Sequence, residues 1–320
     1  MLKKILLKYW FFIGIVIVAL AAFNFPGIGA KIKEWNLLKI GIFIAFLITG
    51  LQLDTKAIVD EIKNIKTLSA SLISSLILFP LITFFLAGLL FKSSNDFIVG
   101  ACIIAVAPVT VASGTVLTGI ARGNIPLSLF ICISSNFAAI FTIPFSLNLL
   151  LQFNQDMNLP VLAMIKSLII IVLIPIILGQ LLRTSIKNYI MPYKKLFSIF
   201  SQLIVLLIIF NAISSSTSKI ATAGHKIIFI FLFMILLHTI ILLLNFGISK
   251  IIRLNRASTS AFTIHTSQKT LTVSYIVWAG YFASDFPMAM IPPISYHLTQ
   301  MIMDTFLAHR FMDLAKQELT

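Results

Sequence analysis

Charge is what this sequence has least of. Only 10 of its 320 residues are acidic, and charged residues of both signs make up 11%, where a soluble domain carries about a quarter. Such a chain cannot cover a globule with solvated side chains. Hydrophobic residues supply 59% and the mean hydropathy is +1.05, so the apolar surplus must meet lipid. Cysteine is nearly absent as well. Cys102 and Cys132 both fall in apolar stretches, which excludes a disulfide framework and a Cys/His metal site. The signatures of intramembrane enzymes are missing: no HExxH, no paired GxGD-type aspartates, and no flanking glycine motif around Ala112-Ser113-Gly114. The expectation is a protein that is not an enzyme and holds no cofactor.

What is present is a series of apolar runs, at 9–24, 37–53, 67–91, 97–119, 124–151, 159–182, 197–213, 226–249, 259–282 and 287–308. Ten spans of roughly 20 residues are implied. Each must be helical, because an open strand leaves backbone amides unpaired in lipid. The first run follows Lys3 and Lys4 as in a signal peptide; with nine more runs downstream it reads as an uncleaved helix.

The formal net charge of +14 would suggest a nucleic-acid partner in a soluble protein. Here the bases sit mostly in short loops, where Lys and Arg set topology. With the N-terminus inside, the inner segments hold 16 of the 24 bases (among them Lys56, Arg183, Lys250 and Arg310), the outer loops 5, and Lys39, Lys166 and Lys269 lie within runs. Both termini are therefore expected in the cytoplasm, in a multi-pass plasma (inner) membrane protein whose partners are lipid and a small molecule.

Ten spans split five and five, and an odd number per half means that two similar halves must be inverted in the membrane. The fourth run of each half is interrupted, by Pro108-Val-Thr-Val-Ala-Ser-Gly-Thr115 and by His265-Thr-Ser-Gln-Lys-Thr270. The expected fold is an all-α polytopic membrane protein of ten helices in two inverted five-helix repeats, with helices 4 and 9 broken.

Lys269 stands eleven residues into the ninth run, about 15 Å deep at 1.5 Å per residue. A lysine stem reaches roughly 6 Å and cannot return the ammonium to the interface. A charge at such depth marks function by default. His265, Gln268 and Thr270 share its segment; Thr110, Ser113 and Thr115 stand opposite. Two broken helices meeting at mid-membrane present half-helix N-termini, which attract anions. The hydroxyls equally suit helix packing through small residues. Asn124, Ser128, Cys132 and Asn136 form a stripe on one helical face, and His297, Gln300 and Asp304 repeat the pattern in the last run. Asp304 reads as a partner for Lys269, a proton carrier, or an interfacial acid near Arg310. His238 reads as a packing histidine, and Lys166 snorkels.

At these residues the sequence resembles the bile acid:sodium symporter family, in its bacterial symporter-like branch. The matching stretches are Gly50-Leu-Gln-Leu53, Ala107-Pro-Val-Thr-Val-Ala-Ser-Gly114, Ala121-Arg-Gly-Asn124, Ser267-Gln-Lys-Thr-Leu271, Tyr296-His-Leu-Thr-Gln300 and Leu307-Ala-His-Arg310. The resemblance implies a core domain (67–151 and 226–310) and a panel domain (9–53 and 159–213), with helices 4 and 9 crossing beside a substrate cavity. It implies a secondary transporter moving a small organic anion of bile-acid, steroid-conjugate or carboxylate type by alternating access. The family's sodium positions map to a degenerate metal site around Ser128, Gln268 and Ser75. His265 stands where the family has glutamate, and Lys269 adds a positive charge that opposes a nearby cation at low dielectric. Sodium coupling is therefore expected to be replaced by Lys269. Two other expectations compete: a proton-coupled carrier using His265, Lys269 or Asp304, and a membrane regulator that transports nothing.

Overall fold

A computed structural model describes residues 2–53, 61, 63–92, 94–110, 112–155 and 157–317; Lys56 and Val111 lie outside the described residues. Among these residues the regular structure is helical throughout. In chain order the helices are α1 (Leu2–Asn24), α2 (Pro26–Glu34), α3 (Leu37–Gln52), α4 (Ile65–Leu90), α5 (Asn95–Val106), α6 (Ala112–Ile120) and α7 (Ile125–Gln155). Then come α8 (Val161–Leu168, a π turn at Ile169–Leu173, and Ile174–Ile190), α9 (Lys194–Ala223), α10 (Lys226–Ile251), α11 (Arg256–Ser267), α12 (Leu271–Tyr281) and α13 (Ile291–Gln317).

Among the described residues five segments are long and apolar enough to cross a membrane: Ile65–Leu90, Ile125–Gln152, Val161–Ile186, Lys195–Ala223 and Lys226–Ile251. Trp10–Asn24, Leu37–Gln52 and Asn95–Val106 are shorter apolar helices. The outward residues are what lipid requires: Phe85, Leu181, Leu243 and Phe306 are 64–75% exposed. The protein is a multi-pass membrane protein. Lys166 is exposed, as snorkelling needs.

Two features depart from the expected boundaries. The apolar run 197–213 continues as helix to Ala223, with the hydroxyls after it satisfied along the same helix. Ser215 donates to Asn211 O at 2.8 Å, Thr217 to Ile213 O at 3.0 Å and Thr222 to Lys219 O at 2.9 Å. The loop between the first two runs forms α2, whose first residue is proline, a favoured helix opener.

Helices α1, α2 and α3 pack on α9, and α3 also lies along α8. Helix α10 packs on α11 and α13, while α5 packs on α4, α7 and α13. The α3–α8 contact explains the Gly50-Leu-Gln-Leu53 stretch. A Cβ on Gly50 would fall 2.2 Å from Ile176 O, and one on Gly179 would fall 2.2 Å from Leu47 O, so only glycine lets these backbones meet. Gln180 donates to Gly50 O at 2.5 Å and to Leu53 O at 2.8 Å, and Arg183 also donates to Leu53 O. The orphan carbonyls at the end of α3 are thereby satisfied. Gly179→Val is expected to drive the two helices apart, leaving little monodisperse protein in detergent size-exclusion chromatography.

Candidate functional site

Two helix interruptions face each other. Pro108 disfavours helical geometry in the residue before it, and Ala107 is extended, with φ −60° and ψ 151°; α5 stops there and helix resumes at Ala112. Helix α11 stops at Ser267, with Gln268 at φ −81°, ψ 152°, and α12 starts after Thr270 at φ −85°, ψ 121°. The interruptions are joined directly, Thr270 N–H donating to Pro108 O at 3.0 Å. Helix α7 serves the freed backbone of the first. Ser135 Oγ accepts from Val109 N–H at 3.2 Å, and Asn136 Nδ2 donates to Val109 O at 3.1 Å. The α7 stripe therefore faces the interrupted chain. Its first member, Asn124, does not reach the interruption: it caps α7 through Leu127 N–H at 3.0 Å and donates to Glu61 at 2.6 Å and Ser258 at 3.4 Å.

Lys269 is fully buried at this junction. Its Nζ donates to Ser75 O at 2.6 Å, Ala107 O at 2.8 Å and Ser75 Oγ at 3.0 Å, and lies 4.6 Å from the centre of the Phe79 ring. Three acceptors and an aromatic face meet the three donors and the charge of an ammonium. The sequence of α4 makes the carbonyl available. A π turn spans Ser74–Leu78, and Phe79 N–H bonds to Ser74 O. Ser75 O has then lost Phe79 as a partner, and Pro80 has no N–H to offer. The Ala107 carbonyl is free because α5 ends beside it. Gln300 fixes the backbone: its Oε1 accepts from Lys269 N–H at 2.8 Å and its Nε2 donates to Lys269 O at 2.9 Å.

Asp304 does not pair with the lysine. Its Oδ2 accepts from Gln268 Nε2 at 2.7 Å, and its Oδ1 lies 2.8 Å from His238 Nε2. The donors of Lys269 are all spent on α4 and Ala107, so the acid is left to α10. Asp304 is fully buried, and Arg310 lies six residues further along α13. Gln268 Oε1 accepts from Ser113 at 2.9 Å, tying the second interruption to α6. His265 is held at both nitrogens, 2.7 Å from Thr110 O and 2.5 Å from Ser128 Oγ. Ser113 is 3.4 Å from Thr110 Oγ1. Thr115 is half-buried on α6, and Thr270 O accepts from Ser274 at 3.0 Å. His297 is buried, 3.1 Å from Gln300 and edge-on to Phe11.

The structure thus brings together Thr110, Ser113, Ser128, His265, Gln268, Lys269 and Asp304, with Ser75. The positions expected to form a degenerate sodium site have their oxygens engaged by protein groups: Ser75 by the ammonium, Ser128 by His265, Gln268 by Ser113. Among the described residues no group of three His, Cys, Asp or Glu is placed to hold a metal.

Sequence reasoning missed His238. It is fully buried, with Nδ1 2.7 Å from Tyr296 OH, which in turn donates to Ser267 O at 2.7 Å. Tyr296, Gln300 and Asp304 are four residues apart, so one face of α13 was legible; the partner on α10 carried no local signal. Asn245 was missed too, accepting from Ser74 at 2.5 Å and donating to Ser267 Oγ at 2.8 Å.

Comparison with known proteins shows the family. The model of a family described as the SBF-like CPA transporter family matches residues 9–313. A probable sodium/metabolite cotransporter of Arabidopsis thaliana, BASS4, chloroplastic, is 28% identical over 308 residues, covering 92% of this chain and 70% of its own. Sodium/bile acid cotransporter 7-B of Xenopus laevis is 28% identical over 314 residues, covering 94% and 90%. Sodium/bile acid cotransporter 7 of Rattus norvegicus is 26% identical over 316 residues, covering 94% and 91%.

Proposed function

The chain belongs to the SBF-like CPA transporter family, and from that premise we propose that it carries a small organic anion by alternating access with Lys269 in place of a bound sodium ion. It is a secondary transporter and not an enzyme. The reading is of ten spans in two inverted halves, with the interrupted pairs α5/α6 and α11/α12 as the fourth span of each. Residues 67–151 and 226–310 form the core, and 9–53 and 159–213 form the panel that the core moves against, in the inner membrane with both termini cytoplasmic.

One observation carries the choice of ion. An ammonium held by Ser75 O, Ser75 Oγ and Ala107 O supplies the charge that a metal ion would bring to oxygen ligands, and repels a second cation at low dielectric. Cavities between the helices support an amphipathic anion as cargo. One of about 220 Å³ runs between α7 and the α3–α8 pair, lined by Thr49, Cys132, Asn136 and aliphatic side chains. Asn136 Oδ1 is buried with no hydrogen-bond partner. Another of about 480 Å³ is bounded by α3, α8 and α12, with Lys39, Ser167 and Tyr275 in its lining.

Purified protein in proteoliposomes, offered a labelled bile acid, a steroid sulfate and a keto acid in turn, tests this. Saturable uptake of at least one above protein-free vesicles is expected. No uptake of any of the three supports the regulator reading instead.

A further inference from the structure

Three lysines gather at the end of α5 that lies away from Ala107. Lys92 precedes α5, Lys219 lies in the last turns of α9, and Lys226 opens α10. Gly224 reverses the chain between the last two at φ 53° and ψ −128°, a geometry that suits glycine alone. Lys92, Lys219 and Lys226 line one cavity of about 560 Å³, whose lining includes one acid, Asp96. That carboxylate is engaged, its Oδ1 accepting from Met288 N–H at 2.8 Å. Among the described residues no hydrogen bond or ion pair engages any of the three ammoniums. Three positive charges against one negative leave the lining with a surplus of two. Topology does not account for them. The outer loops of the ten-span reading hold five bases, and three of the five meet here, on the side where loop lysines are scarce as a rule.

A second cavity, of about 430 Å³, shares Ser94, Phe97 and Lys226 with the first. Phe229, Leu232, Phe233 and Leu236 line it, at the spacing of one helical face. Phe229, Leu232 and Leu236 are 58%, 56% and 50% exposed, so this groove opens sideways to lipid. Leu236 stands ten residues after Lys226, about 15 Å along the helix axis. A hydrocarbon core is about 30 Å thick, so the groove is one leaflet long. A basic cavity continuous with an apolar strip of that length has the shape and charge of one kind of molecule. We infer that the two cavities together bind an anionic phospholipid, its phosphate among Lys92, Lys219 and Lys226 and an acyl chain along α10. A free phosphate would have no use for the groove, and a zwitterionic lipid would gain little from three unpaired ammoniums. The site is separate from the junction at Lys269 and does not depend on what the protein carries.

Native mass spectrometry of the full-length protein in detergent tests this, with phosphatidylglycerol, phosphatidylcholine of the same acyl chains, or inorganic phosphate added. One phosphatidylglycerol should be retained at least about tenfold more tightly than phosphatidylcholine, and equimolar phosphate should not displace it. A lysine near the membrane surface strengthens attraction to anionic lipid about fivefold. The combined Lys92→Gln, Lys219→Gln and Lys226→Gln variant should therefore weaken retention on the order of 100-fold. Lys31→Gln, Lys66→Gln and Lys195→Gln together remove the same charge from exposed positions elsewhere and should leave retention unchanged. Leu232→Trp, which fills the groove and spares the lysines, should weaken it as well. Equal retention of the two lipids means an unselective lipid coat and overturns the proposal. Displacement by equimolar phosphate means a free-anion pocket and overturns it too. So does unchanged retention in the triple variant of the pocket, or, should that variant not fold, unchanged retention in Leu232→Trp.

Discussion

Replacing Lys269 with alanine is expected to reduce anion uptake to the level of protein-free vesicles and to lower the unfolding temperature substantially. The ammonium donates to Ser75 O, Ser75 Oγ and Ala107 O in the junction. Removing it leaves these acceptors in a dry void, at about 1–3 kcal/mol for each unsatisfied buried group. The loss reaches several kcal/mol, or on the order of 10 °C in a thermal unfolding assay. Lys269→Arg should not rescue either quantity. A planar guanidinium spreads five donors in a fork, whereas the acceptors here close around one nitrogen. Adding sodium to Lys269→Ala should recover part of the lost stability, because the vacated oxygens suit a hard cation. The wild type, with its ammonium in place, should show no such response.

The second large effect is expected at Gly114. A Cβ there would lie 2.3 Å from His265 Cδ2 and 2.4 Å from His265 Nε2. The ring cannot step aside without losing its contacts with Thr110 O at 2.7 Å and Ser128 at 2.5 Å. Overpacking costs about 1–3 kcal/mol, and each forfeited hydrogen bond about 1 kcal/mol more. Gly114→Ala should therefore destabilise the protein by about 3–5 kcal/mol and disconnect α6 from α11, measured as reduced thermal stability and lost uptake together. Gly119→Ala is the control on the same helix. Its Cβ would meet only Ile125 Cδ1, at 3.6 Å, and should change stability by less than about 0.5 kcal/mol.

The contrast between these glycines shows what the sequence could disclose. Hydropathy located the helices because lipid imposes one solution on every apolar run. Pro108 disclosed the first interruption, since proline dictates its neighbour's backbone. The place of Lys269 inside an apolar run came from counting residues, and the structure finds it fully buried. Its partners did not, because they depend on a π turn at Ser74–Leu78 that no local composition announces. Asp304 was read as a partner for the lysine from charge alone, yet it bonds Gln268 and His238. Which acceptors reach an ammonium is decided by the way α4 and α5 end against the junction. His238 was read as packing for the same reason. A histidine on an apolar face gains its meaning from helix α13, 66 residues away in the chain.

The most direct test of the fixed cation is the initial rate of uptake into proteoliposomes with an inward sodium gradient and with sodium replaced by choline. Equal rates in the two conditions are what an ammonium bound to Ser75 and Ala107 predicts. Strong stimulation by sodium, with a bound ion located beside Lys269, would contradict it.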